Sequence, residues 1–396
     1  MSPHVIDSMG GPIGPPIWIG RPMHPRLPDQ ARLPDQVAEA LLAPLVDQHC
    51  HGVRRDDLVR SAFETLIAES GVPAPPGTTH FDSPRGMAIR RWCAPVLDLE
   101  PHVPPAVYLA RRSELGAAEA NRRLLRAAGV VAFLMDGGGD AFALSVAETG
   151  RLGGAAADEI VRLERVEEEV AGDGLLSLDY LDRLQQEVGA RAARCVGLSS
   201  VVAYRYGLDF EVARPSRGAV LAAAGRRLAE PKQPLADPVL LRFLLWIAVD
   251  VARERALPIQ FPCGNGGPRP HRGDPSLLAG FIRALLPLSV PLILLDCYPY
   301  HRQAAHLAAV FPHVYVGEAT SAVLGELLEL VPFHKQLFGS GGAGVAETCY
   351  LGALNHRRAL GRVIADRLSQ DEWSLADSVR VAQMIGSGNA RRIYRL

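Results

Sequence analysis

Two histidines one residue apart, His49 and His51, follow a short apolar run in the segment LVDQHCHGV at 45–53. In an extended chain, residues i and i+2 face the same side, so the two imidazoles can converge on one ion. Histidine is also the commonest side-chain ligand for zinc and similar metals. The spacing alone does not identify a metal, because such a pair can also hydrogen-bond within a polar pocket. The motif therefore predicts metal chemistry only if other donors meet it in the fold.

Other polar residues with chemical potential follow further apolar runs. Tyr204 and Arg205 lie in VVAYRYG, and an arginine there could hold a substrate carboxylate through two parallel hydrogen bonds. Tyr298 and His301 lie in CYPYHRQ, where His301 could transfer protons near neutral pH. Glu164 in RLERVEEEV is the carboxylate of that run that we expect at a strand end, either at the site or paired with Arg205.

Glu347 in VAETCYLGA follows the last predicted strand, so it either reaches the site or anchors the helix that begins there. We count it with His301 as a candidate proton acceptor. The Gly-rich stretches CGNGGP at 263–268 and GSGGAG at 339–344 match neither the dinucleotide-binding nor the P-loop pattern. They therefore give no support for a phosphate-binding loop.

These residues need elements that bring them together, and the hydrophobic pattern predicts such elements. Short apolar or β-branched runs alternate with longer amphipathic segments, which is typical of parallel βα units. Eight strands in one chain of 396 residues indicate an α/β fold of the (β/α)8, or TIM, barrel type. Active sites in this barrel lie at the carboxyl ends of the strands. We place the eight strands at 43–49, 130–136, 159–164, 195–205, 257–263, 290–297, 313–318 and 335–340.

The chain divides into an arm and one barrel domain. Residues 1–38 are rich in Pro and Gly in their first part and form the predicted N-terminal arm, and residues 39–396 form the barrel. The long stretch 54–128 between the first two strands has helical spacing, so we expect an insertion of helices over the barrel mouth. From this insertion, Glu69, His80 and Arg90 could reach the site.

Bulk composition excludes several classes of partner. The formal net charge is −1, and no basic block is present that would suit a nucleic-acid backbone. The chain has no run of about 18 or more apolar residues, and its first residues lack the pattern of a secretion signal. We therefore expect a cytoplasmic protein that binds a small molecule, with no nucleic acid and no membrane.

Several motifs together resemble a known family. LVDQHCHG, VVAYRYGLDFE, LPIQFPCGNG, LLDCYPYHRQ, LFGSGGAGVAETCYLGA and GNARRIY occur in order from about residue 40 to the end. They are similar to landmarks of the amidohydrolase superfamily, in the branch related to the N-terminal half of nodulin/glutamine-synthetase-like fusion proteins. The resemblance implies a metal-dependent hydrolase, or a decarboxylase or lyase. Its implied ligands are the histidine pair of strand one, one histidine each after strands five and six, and an aspartate after strand eight.

The sequence departs from that ligand pattern at three of the five positions. Pro262 stands at the strand-five histidine position, Asp296 at the strand-six histidine position and Gly341 at the strand-eight aspartate position. Ser199 stands where related sequences commonly carry a lysine. The set that remains is His49, His51 and Asp296, which could hold one divalent ion, zinc first, or none.

Three hypotheses follow from this altered pattern. The first is a divergent hydrolase, or decarboxylase or lyase, of a small carboxylate or amide-like metabolite, in which Arg205 orients the substrate and His301 or Glu347 replaces the lost aspartate. The second is a pseudoenzyme that binds or regulates, as a homo-oligomer or as partner of an active paralogue. The third is a metal-free enzyme that reuses the barrel pocket. The fold alone does not choose among them.

Overall fold

A computed structural model of the protein describes residues 33–137, 140–174, 176–264, 269–318 and 323–396. Eight parallel strands form one sheet in the order β1 to β8, with helices between them, which confirms the predicted α/β barrel. Most strands are short runs of buried residues, as expected for a sheet covered on both faces. The strands are β1 Leu45–His51, β2 Val130–Asp136, β3 Ala156–Arg162, β4 Gly197–Ser199, β5 Ile259–Pro262, β6 Leu292–Leu295, β7 Val314–Glu318 and β8 Gln336–Phe338.

The first and last strands are joined by the segment that follows β8. The amide of Gly341 donates to the carbonyl of His49 at 3.0 Å, and the amide of His51 donates to the carbonyl of Gly342 at 2.7 Å. The pairing of β1 with β2 is irregular between Asp47 and Cys50. The histidine segment thus lies where the barrel closes.

The helices pack around the sheet and at its two ends. Helix α4 contains a break at Gly116, whose φ of 74° interrupts the helical backbone. The helices are α1 Asp35–Leu42, α2 Arg60–Ile67, α3 Pro84–Ala88, α4 Pro105–Ala127, α5 Val146–Gly153, α6 Leu163–Ala171, α7 Ser177–Ala192, α8 Val202–Arg205, α9 Arg217–Ala229, α10 Pro238–Arg255, α11 Ala279–Leu285, α12 His301–Val310, α13 Leu324–Leu330, α14 Ala346–Ser369, α15 Leu375–Gln383 and α16 Asn389–Tyr394.

The barrel interior is apolar, with a polar network near its centre. Val46, Leu134 and Ile293 belong to an internal cluster to which α16 contributes Ile393 and Tyr394. Within this interior, three polar side chains bond to one another. The hydroxyl of Tyr394 donates to Oε1 of Gln48 at 2.7 Å, and Nε2 of Gln260 donates to the Tyr394 hydroxyl at 2.8 Å. We call these three residues the floor network.

The largest difference from the predicted strand ranges is at β4. Strand β4 ends at Ser199 rather than at 205, because the Ser200 hydroxyl accepts the amide of Val202 at 3.3 Å and the chain turns into α8. Tyr204 and Arg205 therefore lie on a short helix. Helix α1 begins at Asp35, inside the range predicted as the arm, and most of that arm lies outside the described residues.

The range 54–128 contains helices α2, α3 and α4, and α4 packs against α14. Among the described residues no helix is long and apolar enough to cross a membrane.

Candidate functional site

Four strands place polar side chains together at the mouth of the barrel. β1 supplies His49 and His51, β2 ends with Asp136, β3 ends with Arg162, and Asp296 follows β6. The rings of the two histidines are 4.9 Å apart, between centroids, in an edge-to-face arrangement. Nε2 of His49 lies 3.2 Å from Oδ2 of Asp296. The structure thus brings His49, His51 and Asp296 into one site, at the end of the barrel that the sequence predicted.

The backbone makes a close turn at Asp296. Asp296 has a φ of 51°, a left-handed conformation that aspartate tolerates better than most residues. Gly264 lies against this turn, and a Cβ atom on Gly264 would come within 2.5 Å of the Asp296 carbonyl oxygen. The glycine after β5 therefore lets its loop approach the turn at Asp296 closely.

Charge stabilises the contact between His49 and Asp296. Burial, the largest single effect, would lower the pKa of His49, but the carboxylates around it, Asp296 first and then Asp136 and Asp47, together raise that pKa. Burial alone would raise the pKa of Asp296, but the charge and hydrogen bond of His49 hold it below its usual range. Because a carboxylate only accepts hydrogen bonds, Nε2 of His49 carries the proton in this contact.

His51 has a different environment from His49. Its Nδ1 lies 3.4 Å from the carbonyl oxygen of Asp136, so Nδ1 carries the proton and Nε2 is the unprotonated nitrogen. Burial, with the charge of His49, lowers the pKa of His51 to about 4. His51 is therefore neutral at pH 7 and can accept a proton or a hydrogen bond.

Asp136 and Arg162 form an ion pair beside His51, with the guanidinium nitrogen 2.9 Å from Oδ2. Asp136 is fully buried, and although burial opposes ionisation, Arg162 and His51 lower its pKa. The sequence analysis missed both residues. The available signal was that Asp136 ends a predicted strand and Arg162 lies two residues before the end of another, because strand ends line the mouth of such a barrel.

Whether His49, His51 and Asp296 fit a metal ion depends on which of their donor atoms are available to it. Two imidazoles and one carboxylate suit zinc chemically, and the bond from His51 Nδ1 to a carbonyl is common in metal-ligating histidines. However, the Nε2 lone pair of His49 is not available, because that nitrogen donates to Asp296. In the described ranges, no three His, Cys, Asp or Glu side chains are placed to hold a metal ion. As arranged, these residues do not fit a three-ligand metal site.

The candidate substrate-binding residues near β4 are engaged with neighbouring residues. Arg205 donates to Oε1 of Glu168 at 2.8 Å rather than pairing with Glu164. The Tyr204 hydroxyl donates to the carbonyl of Cys263 at 3.3 Å. Glu164 is buried in the first turn of α6, where it accepts the Ser200 hydroxyl at 2.6 Å, and burial raises its pKa. Substrate binding by these residues stays a prediction.

Tyr298 and His301 lie just beyond Asp296. Their rings are stacked at 6.1 Å between centroids. Nε2 of His301 lies 3.1 Å from Oε2 of Glu326, in a groove between α12 and α13. The structure therefore separates His301 from the His49–Asp296 contact, while Tyr298 faces the same cleft as Asp296.

Glu347, the other candidate proton acceptor, is fully buried in the first turn of α14. Its Oε1 accepts the hydroxyl of Tyr108 and the Nε of Arg112, both at 2.9 Å. Both partners belong to α4 of the insertion. The geometry therefore gives Glu347 the role of an anchor between the insertion and the barrel, which was the other role considered from the sequence.

A cleft of about 760 Å³ opens between the insertion and the barrel mouth. Asp296, Tyr298, Ser340 and Gly341 line its barrel side. Of the insertion residues considered from the sequence, Glu69 and His80 line the cleft. Arg90 instead donates to the carbonyls of Val103 and His102.

Comparisons with solved structures agree with this architecture. A candidate metal-dependent hydrolase from Lactobacillus casei ATCC 334 superposes with a TM-score of 0.77 at 22% identity, over 91% of this chain and 97% of that one. A uronate isomerase from Thermotoga maritima gives 0.64 at 12% identity, over 94% and 100%. A glucuronate isomerase from Caulobacter crescentus gives 0.60 at 14% identity, over 93% and 96%. At these identities the likeness confirms the (β/α)8 barrel fold and nothing finer.

Among curated proteins, Protein fluG from Emericella nidulans is 27% identical over 222 residues, which are 51% of this chain and 26% of fluG. This chain thus aligns with about a quarter of the length of that relative. No protein-family model matches the chain. The match to fluG is distant and consistent with the resemblance described above.

Proposed function

We propose that this protein is a hydrolase of small carboxylate- or amide-bearing metabolites that works by proton transfer, with Asp296 and His49 as the reacting pair. The observation that carries the proposal is the 3.2 Å contact between them at the carboxyl ends of the strands. The Asp296 side chain is 34% exposed, so it remains accessible to a substrate in the cleft. The likeness of fold to a candidate metal-dependent hydrolase supports the reaction class by analogy.

His49, His51 and Asp296 each have a separate role in the proposed hydrolysis. His49 holds one carboxylate oxygen of Asp296, and the other oxygen accepts a proton from a water that attacks the substrate carbonyl. Neutral His51 orients that water through its unprotonated Nε2. As the C–N or C–O bond breaks, Asp296 returns the proton to the leaving nitrogen or oxygen. His49 lowers the free-energy cost of the proton transfers to and from Asp296, because the pKa of His49 is raised beside the carboxylate.

Zinc is the second candidate, favoured by the carbonyl bond of His51 Nδ1, which leaves Nε2 as a suitable donor. His49, His51 and Asp296 would hold the ion only once the present contact between His49 and Asp296 had opened. Nε2 of His49 must first lose its proton, so we expect such binding to weaken as the pH falls.

The test is elemental analysis of protein purified without chelators or a histidine tag, together with a hydrolysis screen of amides and esters. The variants are the double change His49→Ala/His51→Ala, Asp296→Asn, and His334→Ala as an exposed-histidine control. Hydrolysis without bound metal that is lost in Asp296→Asn supports the proposal. Stoichiometric zinc that disappears in the double variant, weakens in Asp296→Asn and is kept in His334→Ala, with zinc-dependent hydrolysis, overturns it in favour of the metal enzyme.

A third outcome also decides the question. Absence of both metal and hydrolysis across the screen contradicts both candidates. It would leave the binding or regulatory module, with a paralogue or a second copy of the chain as partner, as the proposal to pursue.

A further inference from the structure

The cleft over Asp296 carries charge at two separate places. Its barrel side has the Asp296 carboxylate, and its insertion side has the Arg85 guanidinium with the Glu69 carboxylate paired to it. Apolar groups, including Ile67, Ala88 and Leu351, lie along the walls between polar positions. A volume of about 760 Å³ is in the range of sites that enclose small molecules.

The guanidinium of Arg85 is held in place by a backbone carbonyl, and its positive charge is balanced by a neighbouring carboxylate. Its Nη1 donates to the carbonyl of Ile67 at 3.1 Å, which fixes the guanidinium against the end of α2. Its Nη2 forms an ion pair with Glu69, whose side chain is 85% exposed. Exposed ion pairs contribute little to stability, so a ligand carboxylate can replace Glu69 at little cost.

The two charges would orient an anionic substrate. A carboxylate is repelled by Asp296 and attracted by Arg85, which can hold it through a charge-assisted hydrogen bond. An uncharged amide has no such conflict at the Asp296 end. A molecule with both groups therefore enters with its carboxylate towards the insertion and its amide towards the reacting pair.

We propose that this cleft selects amides carrying one carboxylate, of the size of an N-acyl amino acid, and that Arg85 is the carboxylate-binding residue. Glu69 is then the displaceable counter-ion of Arg85. The assignment rests on the proposed function in placing the reacting amide at Asp296. It moves carboxylate recognition from Arg205, which is paired with Glu168, to the insertion.

The test uses two probes of nearly equal shape, N-acetyl-L-leucine and the uncharged N-acetyl-L-leucinamide, with binding followed by ligand-observed NMR and calorimetry. We expect the acid to bind about tenfold or more tightly, as for one charge-assisted hydrogen bond. Arg85→Gln should remove this preference, and Glu69→Gln should strengthen it. Arg302→Gln is the matched control, because Arg302 also pairs with an exposed glutamate, Glu326, but in another groove.

Equal affinity for the two probes, a preference that survives Arg85→Gln, or no binding of either probe overturns the inference. Thermal unfolding of each variant checks that the fold is intact, and Glu69→Gln tests the same pair with the guanidinium in place. Asp296→Asn separates the two proposals, because it should abolish hydrolysis and keep the preference for the acid. Loss of the preference with retained hydrolysis would contradict only the assignment of Arg85.

Discussion

The imidazole of His49 at the end of β1 and the carboxylate of Asp296 after β6 are in direct contact, with Nε2 and Oδ2 3.2 Å apart. In the family that the sequence resembles, the corresponding side chains face an ion. Here the two side chains face each other, because the Asp296 carboxylate attracts the proton-bearing Nε2 of His49. The contact joins the two side chains into one unit across the mouth of the barrel.

Replacement of Asp296 by Asn is expected to lower the pKa of His49. The carboxylate is the main group that raises this pKa against the effect of burial, and an amide provides no charge to replace it. NMR titration of the histidine ring signals measures the effect directly. Glu326→Gln, which removes the partner of His301 alone, should leave the His49 signal unchanged, and an equal shift in both variants would contradict the direct contact.

Asp47→Asn is expected to change how the free energy of unfolding depends on pH. Relative to wild type, the variant should be more stable at neutral and alkaline pH than at acidic pH. Asp47 is fully buried, its Oδ1 accepts the amide of Ser340 at 2.8 Å, and burial raises its pKa to about 6. Because the folded state holds this proton more tightly than the unfolded state, the wild-type protein loses stability as the pH rises from about 4 through about 6. The raised pKa corresponds to a loss of about 3 kcal/mol in the free energy of unfolding of the wild-type protein over this pH range. The Asp47→Asn variant does not show this loss.

Urea unfolding at several pH values between about 4 and about 8 measures this difference. His51 contributes in the opposite direction, since its lowered pKa adds stability as the pH rises from about 4 to about 6.5. The comparison of Asp47→Asn with wild type cancels the His51 contribution, which is common to both. A difference that does not change with pH would show that Asp47 is ionised at all these pH values.

Glu347→Gln is expected to destabilise the protein by about 3–5 kcal/mol, because it leaves the buried Arg112 guanidinium without its counter-charge. Both side chains are almost fully buried, so water cannot replace the lost partner. Hydrogen exchange should show that α4 loses protection along with the start of α14. The double variant Arg112→Met/Glu347→Leu removes both charges and should recover much of the loss, whereas additive losses would argue against a direct pair.

Tyr394→Phe is expected to cost about 1–3 kcal/mol in the free energy of unfolding. The change removes the hydroxyl that donates to Gln48 and accepts from Gln260, so buried amide groups lose a partner. Denaturant unfolding measures the cost, and Tyr315→Phe, a partly buried tyrosine packed against the same cluster, is the control. Equal costs for the two variants would mean that the floor network adds nothing.

The barrel was predictable from the sequence to a useful degree. All eight strands lie within or close to the predicted ranges, because a strand covered on both faces is a short apolar run bounded by polar residues. Strand β4 was overestimated, since the apolar residues after Ser199 belong to a turn and to α8. An apolar run does not reveal where its backbone hydrogen bonds change from sheet to helix.

The site was predictable in part, and for physical reasons. The proximity of His49, His51 and Asp296 was predictable, because strand ends meet at one edge of a barrel, whereas their role as metal ligands stays a prediction. The partner of Arg205 was not predictable, since the choice between Glu164 and Glu168 depends on the angle at which α6 leaves β3. Asp136 was overlooked because an acidic residue at a strand end is common, and its burial with Arg162 depends on long-range packing.

The anchor formed by Glu347 with Tyr108 and Arg112 also bears on how the protein could be reduced in size. Asn121 of the same helix donates its amide to the carbonyl of Arg54, which ties α4 to the segment just after β1. Excision of the insertion would leave a buried carboxylate without partners and a strip of α14 exposed to water. A minimal barrel made by deletion would therefore need a redesigned α14 surface, so the insertion is not a detachable module.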